Sequence, residues 1–262
     1  MTALFPFFLK NWVRSNKLIW TAALGLFPVL LTVLLQFASP ILEDHDILLY
    51  RLYPQISFFV YLHLLLPILA VMTGVSIINE EVEDETLPYL LVRPVPKFQI
   101  VLAKSAVFFT VTGVIIALSL ILSFTVLNFR YGFEGWLDES GKLLKGLGVL
   151  FLGLLAYLTF FGALGAWLKK PVLTGLLFAF GWENLVAYFP GNVKYLTIVH
   201  YLHSLFPTFY RTKASGILGL IPIKFSLAGG WTSFFMLLLL SAVFLGLTCL
   251  ALYVKEYKMD QA

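Results

Sequence analysis

Five carboxylates, Glu80, Glu81, Glu83, Asp84 and Glu85, fall within six residues of this chain. An apolar patch follows, Leu87, Tyr89, Leu90 and Leu91. Thr86 precedes that patch, and Arg93, the Pro94-Val95-Pro96 elbow and a run ending in Lys104 come after it. Acid at the start and base at the end suit a short helix whose dipole is satisfied at both ends. A short loop with exposed leucines and a tyrosine wants an apolar partner. The stretch therefore reads as a docking element that inserts into a cytoplasmic subunit. The bland alternative is a solvated acidic loop whose patch packs on the bilayer or on the protein's own helices.

Two further places carry polar chemistry. Glu183, beside Asn184, is the one strong ionisable candidate inside an apolar stretch. A carboxylate at membrane depth is costly unless it faces protein or water. The pair is a candidate gate or substrate-path site; otherwise Glu183 bonds backbone amides or Asn184 and anchors the turn into Pro190-Gly191. His200 and His203 are spaced three apart, so a helix puts them on one face. Two histidines make only a weak metal site, and Met1, Met72, Met236, Met259 and Cys249 are too few soft ligands for a metal pathway. No metal site and no catalytic residue is expected. No phosphate-binding G-x-x-x-x-G-K-[ST], no H-E-x-x-H and no G-x-S-x-G occurs, so the chain has no visible means of hydrolysing ATP.

The elements that must position these residues are apolar helices. Hydrophobic residues make up 60% of the 262-residue chain and charged residues 12%, against roughly 45–50% and 25% in soluble domains. Mean hydropathy is +0.91. Such a chain cannot cover a water-facing surface, which excludes an ordinary soluble enzyme, a disordered chain and a nucleic-acid-binding domain. A lone cysteine excludes a disulfide scaffold. A helix needs about 20 apolar residues to cross the hydrocarbon core. Six stretches qualify or nearly do: about Leu18–Phe37, Ile56–Ile78, Ser105–Leu127, Gly146–Leu168, Val172–Phe189 and Trp231–Val254. The runs are continuously apolar rather than alternating, so an all-α membrane protein is favoured over a barrel.

Lys10, Arg14 and Lys17 before the first span, Lys169 and Lys170 between the fourth and fifth, and Lys255 and Lys258 at the end place both termini in the cytoplasm. The same basic residues interrupt any leader-like region, so no cleavable signal is expected. Residues 2–17 carry Leu4, Phe5, Phe8, Leu9, Trp12 and Val13 at helical spacing, which suits a helix lying in the cytoplasmic interface. Residues 79–104 form a cytoplasmic loop and 128–145 an outer loop. The net charge of +4 fits basic cytoplasmic loops and is not a nucleic-acid signal. Hydroxyl residues in the second and third spans are expected to bond their own helices or to let helices pack closely. The 25 phenylalanines suit either greasy walls for an amphipathic substrate or simple contact with lipid.

Glu81 through Lys104, with Thr86-Leu87, Leu90-Leu91, Arg93-Pro94-Val95 and Ile100, resembles the cytoplasmic loop of ABC-2-type transporter permeases. It is closest to the group whose membrane subunit is encoded apart from its ATPase, often labelled with multicopper-enzyme maturation. In that family an acidic cluster leads to a Gly-Thr or similar pair, then leucines, a Pro-Val turn and a lysine opening the third span. Here Glu85 stands where glycine is common. A second stretch, Trp182-Glu183-Asn184, Pro190-Gly191, Lys194 to Thr197 and His200 to Leu205, is similar to a pattern of the same group. The resemblance implies a single transmembrane domain over residues 1–262. It would hold six spans, an elbow helix at 1–17, a coupling helix within 79–104, and an extracytoplasmic or re-entrant segment at 190–230. It also implies an ATP-driven exporter working by alternating access. A permease homodimer would dock on ABC ATPase subunits that carry ATP and magnesium, with no cofactor on this chain, in the cytoplasmic (inner) membrane. Glu81, Glu83, Asp84, Glu85, Thr86, Leu87, Tyr89, Leu90, Leu91 and Arg93 would carry the coupling. The rivals are a stand-alone secondary carrier or channel, which would want paired charges or broken helices at mid-membrane, and a membrane assembly factor.

Overall fold

The computed structural model describes residues 4–38, 52–83, 96–129, 132–187, 193–206 and 228–254, and no strand occurs among them. Among these residues five helices are long and apolar enough to cross a membrane. They are α2 (Asn16–Phe37), α3 (Tyr53–Val75), α5 (Lys97–Asn128), α6 (Gly132–Trp167) and α10 (Gly230–Val254). The shorter elements are α1 (Leu4–Val13), α4 (Asn79–Glu83), α7 (Pro171–Trp182), α8 (Glu183–Ala187), a 3-10 turn at Val193–Leu196, and α9 (Ile198–Leu205).

The N-terminal amphipathic stretch is a helix separate from the first span. Chain direction changes at Ser15, whose hydroxyl accepts from the Lys17 amide at 3.2 Å and so caps α2. Phe8 and Trp12, one turn apart, are the buried face of α1, while Lys10, Asn11 and Arg14 are exposed. Trp12 meets Phe108 of α5 with ring centroids 6.0 Å apart.

The core is centred on α3 and α6. Gly74 of α3 and Gly165 of α6 bring the two backbones together. A Cβ at Gly74 would lie 2.8 Å from the Leu158 carbonyl oxygen, and one at Gly165 2.7 Å from that of Val75. Small residues at a membrane-helix contact allow this approach. Around it, Phe58, Tyr61, Phe124, Tyr157 and Phe161 are fully buried. The middle of α3, Ser57–Leu65, is wound as a π-helix and is followed by Pro67. A proline there lacks the N–H that the carbonyl of residue 63 would otherwise receive, and its ring crowds that carbonyl, so a wider turn relieves both. Phe178–Trp182, the end of α7, is π-helical too.

The hydroxyls divide into two groups. Thr73, Ser76, Thr110 and Thr125 bond carbonyls of their own helices. Tyr61 instead links Ser119 and Ser123 of α5 at 2.8 Å each, and Ser119 donates to the Gly25 carbonyl of α2 at 2.5 Å. This polar thread ties three helices where no charge is available.

The stretch 172–189 was expected to be the fifth of six spans; α7 and α8 cover residues 171–187, about 26 Å by helix rise, and residues 188 and 189 lie outside the described residues. Two expectations change. The outer loop 128–145 is not a loop over most of its length, because α6 begins at Gly132, whose φ of +70° only glycine adopts easily. Glu134, Asp138, Glu139 and Lys142 ride on the helix, with Glu139 and Lys142 paired one turn apart. The third long helix likewise starts at Lys97 rather than Ser105. Pro96 stands immediately before it, and nothing between Lys97 and Lys104 breaks a helix.

Candidate functional site

Polar side chains gather at two places. The first surrounds α4, the start of the acidic run. The Lys104 ammonium, 3% exposed, lies 2.5 and 2.6 Å from the two Glu81 carboxylate oxygens and 3.1 Å from the Ser76 carbonyl. It also sits over the rings of Phe8 and Phe108, 5.9 and 5.5 Å from their centroids. One cation thus joins α1, the end of α3, α4 and α5. Glu80 pairs with Lys17 at the start of α2. Nearby, Lys97 donates to the Leu252 carbonyl at 2.9 Å and lies over the Tyr253 ring, closing the C-terminal end of α10 onto α5. Burial lifts the Glu81 carboxyl above the ordinary range, against the pull of Lys104, and neighbouring Glu80 adds to the rise.

Of the residues expected to couple to a partner, Glu81 is placed in this node and Glu83 ends α4. Asp84, Glu85, Thr86, Leu87, Tyr89, Leu90, Leu91 and Arg93 lie outside the described residues.

The second place surrounds α9. Every residue from Ile198 to Ser204 is buried. Thr197 caps the helix, its hydroxyl accepting from the His200 amide at 3.3 Å. Glu183 completes the cap: one carboxylate oxygen accepts from the Ile198 amide at 3.1 Å and the other from the Val199 amide at 2.8 Å. Tyr157 of α6 donates to the second of these oxygens at 3.2 Å. A carboxylate against the first free amides of a helix is favoured by its dipole as well as by the bonds. Glu183 therefore bonds backbone amides of α9; Asn184 lies in α8, and the turn at Pro190-Gly191 lies outside the described residues.

The histidines pair differently from their spacing. His203 Nε2 is 2.8 Å from Nε2 of His63, which projects from the π-helical turn of α3. Phe58 packs against both imidazoles, with centroids 4.9 and 4.8 Å away. His200 lies among Tyr195 and Tyr201, and its Nε2 is buried without a hydrogen-bond partner. Among the described residues no group of three or more His, Cys, Asp or Glu side chains is arranged to hold a metal ion.

Lys104 was legible as the base closing the loop, but its bond to Glu81 was not. His63 stood in the sequence beside Thr73 and Ser76 as one of the polar residues of the second span, and Tyr157 carried no signal at all. Their partners lie 140 and 26 residues away, and only the fold brings them together.

Five apolar helices of spanning length among the described residues, with no strand among them, define a multi-pass all-α membrane protein. Residues 8–182 match the family described as ABC-2 family transporter protein. The chain belongs to that family, as an ABC transporter permease. No curated protein and no solved structure matches the chain.

Proposed function

We propose that this chain is the membrane subunit of an ATP-driven exporter, with ATP and magnesium bound on a separate ABC ATPase subunit. Two copies would form the permease and alternate access between them. The chain would form one domain with six spans, α7 and α8 together making the short fifth, and with both termini in the cytoplasm of a cell whose inner membrane holds it. On this reading α1 is the elbow helix in the interface, residues 79–104 dock on the ATPase, and residues 190–230 form the extracytoplasmic or re-entrant segment. Glu81, Glu83, Asp84, Glu85, Thr86, Leu87, Tyr89, Leu90, Leu91 and Arg93 would make or position the docking surface.

The observation that carries this reading, beside the family, is the anchoring of α4. Glu80 is held by α2, and Glu81 by the Lys104 cation that also touches α1, α3 and α5. A push on the segment that follows α4 therefore reaches four helices through two ion pairs. A charge buried with one partner resists separation strongly, which is what a transmitting contact needs.

The test is purification of the tagged chain from its native membranes in mild detergent, with mass spectrometry of what accompanies it. A stoichiometric P-loop ATPase is expected, and its loss in Leu87→Asp/Tyr89→Asp places the docking surface. A chain that arrives without an ATPase, while other membrane complexes survive the same detergent, would overturn the reading in favour of a stand-alone carrier.

A further inference from the structure

α10 offers other helices few polar handles. Gly230–Val254 contains no Asp, Glu, Lys, Arg or His, so the helix forms no ion pair of its own. Ser241 and Thr248 donate to carbonyls of the same helix, and Leu239, Val243, Leu247 and Leu250 are exposed. Two side chains from other helices reach its backbone instead. Trp167, the last residue of α6, donates its indole N–H to the Leu247 carbonyl at 3.2 Å, and the Lys97 ammonium donates to the Leu252 carbonyl at 2.9 Å. Leu252 lies in the last turn of α10, where the helix dipole favours a cation, and the Tyr253 ring centroid is 5.2 Å from the same ammonium. Ala251 and Leu252 pack in one apolar cluster with Ile77, Ile78, Ile100 and Val101.

Lys97 is also the first residue of α5, and Lys104 follows seven residues later. Seven residues advance a helix by about 10 Å and return to the same face within about 20°. Neither proline nor glycine lies between the two lysines, so these two turns form one stiff piece of helix. Its second cation holds Glu81, the Ser76 carbonyl after α3 and the Phe8 ring of α1; its first holds α10. A rotation of α5 by about 10° moves its side-chain surface by about 1 Å. A 2.9 Å bond stretched by that much is no longer a hydrogen bond. α10 must follow α5 or lose the contact.

We propose that Lys97 is a positioning residue for transport: it gives segment 79–104 a second output, drawing the C-terminal end of α10 along when α5 turns. This rests on the proposed docking of that segment on an ATPase, and adds to it the helix that answers and the residue that links the two. The acceptor is a backbone carbonyl fixed in a helix, which cannot swing aside as a side chain would, so displacement passes to the α10 backbone itself. A lysine that only filled space here could be replaced by any side chain of similar length. Transmission needs the N–H donor.

The test is amide hydrogen exchange of the full chain with its accompanying ATPase in lipid nanodiscs, nucleotide-free and after trapping with Mg-ATP and vanadate. In the unaltered chain, trapping is expected to change exchange at both 97–104 and 247–254. Lys97→Met keeps most of the stem but not the donor. Without nucleotide its residues 247–254 should exchange about tenfold faster, the lower end of what a hydrogen bond from a charged group holds, with 230–240 unaltered. After trapping, 97–104 should still respond and 247–254 should not. Lys97→Arg, which keeps charge and donor, should restore the response. A response at 247–254 that survives in Lys97→Met, or is missing in the unaltered chain while 97–104 responds, overturns the inference and leaves the proposed function standing. Failure of Lys97→Arg to restore it does the same. A chain that carries no ATPase, or that shows no response at 97–104, overturns the proposed function and this inference with it. Should Lys97→Met fail to fold, Lys97→Gln, polar but shorter, is read in its place with the same expectations.

Discussion

Glu81 and Glu183 are both carboxylates withdrawn from water, but what compensates them differs. Glu81 faces the side-chain cation of Lys104, a flexible group on another helix. Glu183 faces backbone amides at the first turn of α9, with Tyr157 as a third donor. A buried side-chain pair resists separation but can pivot as helices shift. A carboxylate seated on a helix terminus moves only if the helix moves with it. The first arrangement suits a joint, the second a fixture. The family match extends to residue 182 and so covers the joint but stops just short of the fixture.

The largest effect should come from breaking the joint on one side. Lys104→Met leaves the Glu81 carboxylate without its cation, and removing one partner of a buried pair costs about 3–5 kcal/mol. Thermal unfolding in detergent should show a drop for Lys104→Met that is mostly recovered in Lys104→Met/Glu81→Leu, where both charges are gone. An equal loss in the double variant would mean that the hydrophobic stem of Lys104, packed on Phe8 and Phe108, matters more than its charge. The joint should also answer acid. Because burial lifts the Glu81 carboxyl on folding, the folded chain binds that proton more readily than the unfolded one. Its titration therefore adds stability as pH falls through the raised range.

Breaking the fixture should cost less and act locally. Glu183→Gln keeps one acceptor oxygen but gives up the charge and the second oxygen. Hydrogen bonds to charged groups contribute about 1.5–3 kcal/mol, so a loss at the lower end of that range is expected. It should appear as faster amide exchange at Ile198 and Val199 with the α4 node unaltered. A loss spread evenly over α3 and α6 would erase the distinction between the two places.

The apolar framework was legible because length and hydropathy are local properties. Phe8 and Trp12 announced the buried face of α1 by their spacing. The first, second and last spans fell within a few residues of the helices found. Charge misled where it was read as a loop signal: Glu134, Asp138, Glu139 and Lys142 sit on a helix of 36 residues whose first turns extend past any hydrocarbon core. No proline stands between residues 132 and 168 to break that helix. The sites were half legible. Glu183 was recognised as a carboxylate in need of donors, and both a gating and an anchoring role were open, since the sequence does not say which amides come near. His200 and His203 were paired by spacing, whereas the contact is between His203 and His63. Periodicity reports which residues share a face of one helix and is silent about what the next helix presents.

The smallest effect discriminates most finely. The Lys17–Glu80 pair links α2 to α4 as Lys104–Glu81 links α5 to α4, but the Lys17 side chain is 52% exposed and that of Lys104 only 4%. An exposed pair contributes about 0–1 kcal/mol and is screened further by salt. Lys17→Ala should therefore leave the unfolding temperature nearly unchanged at ordinary ionic strength, and the small remaining difference should vanish in high salt. The drop in Lys104→Met should persist in the same buffer. If Lys17→Ala destabilised the chain as much as Lys104→Met, or in a salt-independent way, α4 would be held rigidly from both sides. It would then be a second fixture rather than a joint, and the case for transmission through Glu81 would fail with it.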